Sequence, residues 1–193
     1  QSDGWKQIII HRNGVSCGSV ELTTQNAYNR GFPIMYTDCG SRAFQDSLGN
    51  GDYMLQQGDY QCRYQTRPAG CANYAANQWM TFSYRVHIGE WNTPTSSVYA
   101  WVAYEGEPLK QWIKQDNVVL KYGDSPTNTY SKIQLTPYQS KKSTSQDHPT
   151  SYVWYDELIV STQPIAGPNG SIAPSAPGDS VPPAPPSSLL FQL

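Results

Sequence analysis

The stretch WMTFSYRVHI, Trp79–Ile88, decides the fold class. Met80, Phe82, Tyr84, Val86 and Ile88 alternate with Thr81, Ser83, Arg85 and His87. Successive side chains of an extended chain point to opposite faces, so the pattern predicts a strand with one face on a core and the other toward water. The run SVYAWVAYE (97–105) repeats the split, with Val98, Ala100, Val102 and Tyr104 on the core side and Tyr99 and Trp101 on the other. In KIQLTPY (132–138), Ile133, Leu135 and Pro137 point inward and Lys132, Gln134, Thr136 and Tyr138 outward.

Helical periodicity is nearly absent from the rest of the chain, whereas short β-rich runs between Gly, Asn, Asp and Pro clusters recur. Further strands are expected at KQIIIHR (6–12), SCGSVEL (16–22), PIMYTD (33–38), YQCRYQ (60–65), KQWIK (110–114), NVVLKY (117–122) and YVWYDELIVS (152–161). About ten strands with turn signals between them predict an all-β, two-sheet antiparallel β-sandwich or jelly roll over residues 1–163. Composition changes at Pro164. From there to Leu193 the chain holds eight of its fifteen prolines and one charge, Asp179, and ends in SSLLFQL. Such a tract builds no core and behaves as a semi-rigid tail, and its apolar end suits addition to a sheet edge of the same or a neighbouring subunit.

Charged residues are only 15% of the 193, aromatics 12%, with fourteen Tyr and six Trp, and the net charge is -2. A surface of hydroxyls, amides and aromatic rings suits an extracellular protein that binds a hydroxyl-rich ligand. No basic run exceeds Lys141–Lys142, so nucleic acid is not an expected partner. No apolar stretch approaches the roughly 18 residues of a membrane span. The start at Gln1, without a leader, reads as a processed, secreted chain.

Cys17, Cys39, Cys62 and Cys71 fit no zinc spacing. In a secreted chain four cysteines predict two disulfides, and of three connectivities Cys17–Cys39 with Cys62–Cys71 is preferred, the second closing the turn-containing loop CRYQTRPAGC; free buried thiols are the alternative. DSLGNGD offers Asp46, Asn50 and Asp52 as oxygen ligands for a structural calcium ion, though without EF-hand spacing, and no other cofactor is expected. His11 and His148 have no evident partner in the sequence.

NQWMTFSYRVHIGEW, SVYAWVAYEGEP, KIQLTPYQ and YVWYDELIVSTQPI, in this order over roughly residues 77–165, resemble the concanavalin A-like jelly-roll sandwiches, in particular secreted bacterial polysaccharide lyases and carbohydrate-binding modules. The resemblance implies a concave sheet holding a polysaccharide. In its lyase branch a Tyr, often with a His, moves protons while Arg, Gln or Asn neutralises a uronate carboxylate. Tyr138 with Gln139 resembles the Tyr closing such a strand, His87 is the co-facial His, and Arg85 or Lys132 would meet the carboxylate. Asp156 resembles the acidic residue that binds structural calcium in some members. The Arg-rich strand signature and Gln-x-His triplet of the best-known alginate lyases are absent.

Three functions are therefore expected in order. The first is noncatalytic polysaccharide binding, with Tyr99 and Trp101 stacking on sugar rings and Lys132, Gln134 and Gln139 beside them. The second is a structural subunit of an extracellular filament that self-associates through its tail. The third is a lyase acting by β-elimination through Tyr138, His87 and Arg85.

Overall fold

A computed structural model describes residues 4–12, 21–27, 31–38, 53–54, 71–121, 130–140, 144–145, 147, 150 and 152–170. Among these residues there is no helix, and hence none long and apolar enough to cross a membrane. The strands are β1 (Gly4–Arg12), β2 (Glu21–Ala27), β3 (Ile34–Asp38), β4 (Tyr53–Met54), β5 (Met80–His87), β6 (Ser96–Tyr104), β7 (Lys110–Val118) and β8 (Tyr130–Ser140). They form two antiparallel sheets, a five-stranded one in the order β4-β3-β2-β1-β8 and a three-stranded one in the order β5-β6-β7.

The alternation in WMTFSYRVHI is the reason the sheets pack. Met80, Phe82, Tyr84, Val86 and Ile88 lie against a buried cluster of Val98, Ala100, Val102, Trp112, Ile113, Val118 and Leu120 from their own sheet and its flank, with Leu22 and Met35 from the other. Each large aliphatic buried there contributes about 1.5–3 kcal/mol. Trp112, fully buried, meets Phe82 edge-on at 6.1 Å, so Trp112→Ala removes about 3–5 kcal/mol.

Several expected boundaries shift. The strand expected at 16–22 is described from Glu21 and runs on to Ala27, because Leu22 and Thr24 alternate toward the core opposite Thr37 and Met35. KQWIK and NVVLKY are not two strands: β7 runs from Lys110 through Asn117 to Val118. Asn117, at φ 56°, takes the left-handed conformation that reads as a turn, and the ladder absorbs it as a register shift between Ser96 and Val98. YVWYDELIVS is not a strand. Its residues 152–161 pair with no neighbour in a ladder, and Glu157 at φ 47° takes the left-handed conformation. The expected strand YQCRYQ, the chain beyond Gly170, Cys17, Cys39 and Cys62 lie outside the described residues; Cys71 is buried and is no free thiol.

β8 keeps its expected sidedness but not the expected burial. Ile133 and Leu135 stand in register with Ile10 and Ile8 on the inner side, yet remain 39% and 36% exposed, β8 being the last strand of the sheet among the described residues. Between Lys6 and Ile8 on β1, β8 advances three residues, from Tyr138 to Leu135, so Thr136 and Pro137 sit at an irregularity. A proline, which cannot donate to a ladder, is tolerated at such a position.

Candidate functional site: the outer face of the three-stranded sheet

Cross-strand register assembles this face. Arg85 of β5, Tyr99 of β6 and Lys114 of β7 form one row, Ser83, Trp101 and Gln111 the next, and His87 stands opposite Ser97. A bulge makes the rows possible. Ala100 pairs with Ile113 but Trp101 pairs with Gln111, so Trp112 is the extra residue, and it turns into the core while Gln111 and Lys114 both face outward.

Tyr99 and Trp101 form the floor of the face. Their rings stack at 6.1 Å and 25°, and they are only 5% and 4% exposed. They lie on the expected side of the strand, but as a covered floor rather than an open stacking surface. The Tyr99 hydroxyl donates to Asp116 Oδ1. Burial, then the hydrogen bond to Asp116 and its negative charge, raise the Tyr99 phenol above its ordinary value, while Ser97 and Arg85 oppose the rise. Around the floor, Thr81, His87, Lys114 and Asp116 are exposed, and Ser83, Arg85 and Gln111 are half-buried. The face thus presents two cations, a carboxylate, an imidazole, an amide and two hydroxyls over an apolar base.

Arg85 and His87 are brought together here, two positions apart on one strand. Tyr138, Lys132, Gln134 and Gln139 are not. All four belong to β8 of the other sheet, in register with Lys6, His11, Ile9 and Trp5 respectively. The two sheets meet through their inner faces, so a β-elimination needing Tyr138, His87 and Arg85 in one groove finds them on separate sheets. Asp46, Asn50 and Asp52 lie outside the described residues. Asp156 is exposed, and its Oδ1 accepts the Glu157 N–H at 3.0 Å. Among the described residues no three His, Cys, Asp or Glu side chains group to hold a metal ion.

Sequence reasoning missed Gln111, Lys114 and Asp116, because the Trp112 bulge breaks the two-residue period that would have placed all three on one face. It also missed a polar node joining distant segments. Gln7 occupies an irregularity of β1, where its carbonyl accepts from the Tyr155 hydroxyl at 3.0 Å and its Oε1 from the Tyr74 hydroxyl at 2.5 Å. These partners lie 148 and 67 positions away, with no local signal to connect them.

No protein-family model, no curated protein and no solved structure matches the chain.

Proposed function

We propose that the chain is a secreted, noncatalytic carbohydrate-binding domain, a concanavalin A-like sandwich that holds a polysaccharide on the outer face of its three-stranded sheet. The observation that carries this reading is the register of Ser83, Arg85, His87, Gln111, Lys114 and Asp116 around the Tyr99–Trp101 floor. A glycan offers closely spaced hydroxyls that both donate and accept, and a face mixing cations, a carboxylate, an amide and hydroxyls can satisfy them at several points. The low charge of the chain suits a largely neutral ligand, while Arg85 and Lys114 leave room for an occasional carboxylate.

Affinity electrophoresis through gels cast with neutral and uronate-bearing polysaccharides tests it. The expected result is retardation by at least one polymer, reduced in Arg85→Ala and Lys114→Ala, with no rise in ultraviolet absorbance from unsaturated product. Absorbance that grows with time and disappears in Tyr138→Phe would restore the lyase reading.

A second reading is favoured by one observation. Leu158, Ile159 and Val160 are three consecutive exposed aliphatics, and a contiguous patch of this kind commonly marks a protein contact. In that reading the sandwich is a subunit of an extracellular assembly, with the tail reaching a neighbour. Sedimentation velocity over a range of concentrations distinguishes a monomer from such an assembly.

A further inference from the structure

Residues 152–160 belong to neither sheet. The first four alternate. Val153 is half-buried and Tyr155 is held by its hydroxyl on the Gln7 carbonyl, whereas Tyr152 and Trp154 are 70% and 71% exposed. The two outward rings are packed against each other, with centroids 5.8 Å apart and planes tilted by 32°. The Tyr155 contact with Gln7 places this segment beside β1 of the five-stranded sheet.

We infer that Tyr152 and Trp154 are a stacking platform for the pyranose rings of the polysaccharide, and this inference rests on the carbohydrate-binding reading. Tyr152 and Trp154 stand two positions apart, are exposed together and hold their ring centroids 5.8 Å apart, a spacing comparable to one sugar unit. The apolar C–H faces of a pyranose match an aromatic ring, and the ring edges leave sugar hydroxyls in water. Tyr and Trp supply this area with few rotatable bonds, at little entropic cost. The Tyr155–Gln7 bond holds the segment so that the platform faces outward before any ligand arrives. Asp156 follows directly, with Oδ2 available to sugar hydroxyls while Oδ1 serves the Glu157 amide. The covered pair Tyr99–Trp101 cannot stack in this way, and Tyr152–Trp154 can.

The test is affinity electrophoresis on β-glucan, xylan, galactomannan, alginate and polygalacturonate gels. Wild type is compared with Trp154→Ala, Tyr152→Ala and the conservative Trp154→Phe, alongside sedimentation of each and thermal melts to confirm folding. The platform predicts that a polymer retarding the wild type loses about tenfold in affinity in Trp154→Ala, which corresponds to about 1.4 kcal/mol. Trp154→Phe is expected to recover part of that loss. Retardation unchanged in both alanine variants overturns the platform and leaves the carbohydrate reading intact. No retardation of the wild type by any polymer overturns both. A concentration-dependent dimer that Trp154→Ala dissociates, with glycan binding unaffected, also overturns the platform and assigns the rings to a protein interface.

Discussion

The hydroxyl of Tyr84 on β5 meets Thr24 Oγ1 on β2 at 2.9 Å, a polar bond between the two sheets in the middle of an otherwise apolar contact. Thr24 is buried and takes its place on the inner face in register with Ile8 and Met35. Removing one partner leaves the other desolvated and unpaired, at about 1–3 kcal/mol. Tyr84→Phe is therefore expected to lower the urea unfolding free energy by that amount, and Thr24→Val similarly. The double variant removes both orphans and should cost at least 0.5 kcal/mol less than the sum. Additive losses would mean that the two hydroxyls do not interact.

Alkaline pH should destabilise the fold. Burial raises the Tyr84 phenol, with the Thr24 bond opposing and Tyr155 adding to the rise, and burial with the charges of Tyr84 and Tyr155 raises the Tyr74 phenol as well. Each folded-state value lies above the unfolded one near 10, so the stabilisation is complete below about pH 10. It declines above that pH, by about 1.4 kcal/mol per pH unit for each tyrosine, until the folded-state value is passed. Urea titrations at pH 8, 10 and 11 should show this slope, reduced by one proton in Tyr74→Phe. A pH-independent unfolding free energy over the range would contradict the burial of these phenols.

Much of the fold is legible in the sequence because strand alternation is a local signal. Met80, Phe82, Tyr84 and Val86 could be assigned to the core from their spacing alone, as could Val98, Ala100 and Val102. Three features lie beyond such reading. The Trp112 bulge shifts the phase of β7, so Gln111 and Lys114 reach the same face although they are three positions apart. Tyr99 and Trp101 have the right side but not the expected exposure, since alternation gives direction and says nothing of what covers a ring. The segment YVWYDELIVS has strand composition throughout, and the left-handed Glu157 within it is not a residue type that announces such a conformation.

The β5–β6 connection should tolerate no side chain at Gly89. A Cβ placed there falls 2.3 Å from Thr95 Oγ1 and 2.6 Å from the Thr95 carbonyl carbon. The Thr95 hydroxyl cannot simply swing away, because it accepts the Glu90 N–H at 2.8 Å, and the Gly89 N–H in turn donates to Ser96 Oγ at 3.0 Å. Gly89→Ala is expected to cost about 1–3 kcal/mol by displacing backbone, read as a lower thermal midpoint. Gly106, whose Cβ direction is open but whose φ is +78°, should lose about 1 kcal/mol in the same exchange through backbone strain alone.

Thr23 offers a stabilising substitution. Its side chain is fully buried on the face of β2 opposite Leu22 and Thr24, and its Oγ1 makes no hydrogen bond. Thr23→Val keeps the shape and β-branching and removes a desolvated hydroxyl, so the unfolding free energy should rise by about 0.5–1.5 kcal/mol. A fall in chemical denaturation midpoint would show that the hydroxyl has a partner in solution.

We propose that the outer face of the three-stranded sheet holds the glycan. The most direct test is a nuclear magnetic resonance titration of the isotopically labelled protein with a short oligosaccharide cut from the retaining polymer. The expected result is saturable shifts of the Ser83, Arg85, His87, Gln111 and Lys114 amides, with those of Lys132 and Gln134 on β8 unmoved. Shifts centred on β8 and β1, with β5 and β7 silent, would contradict it.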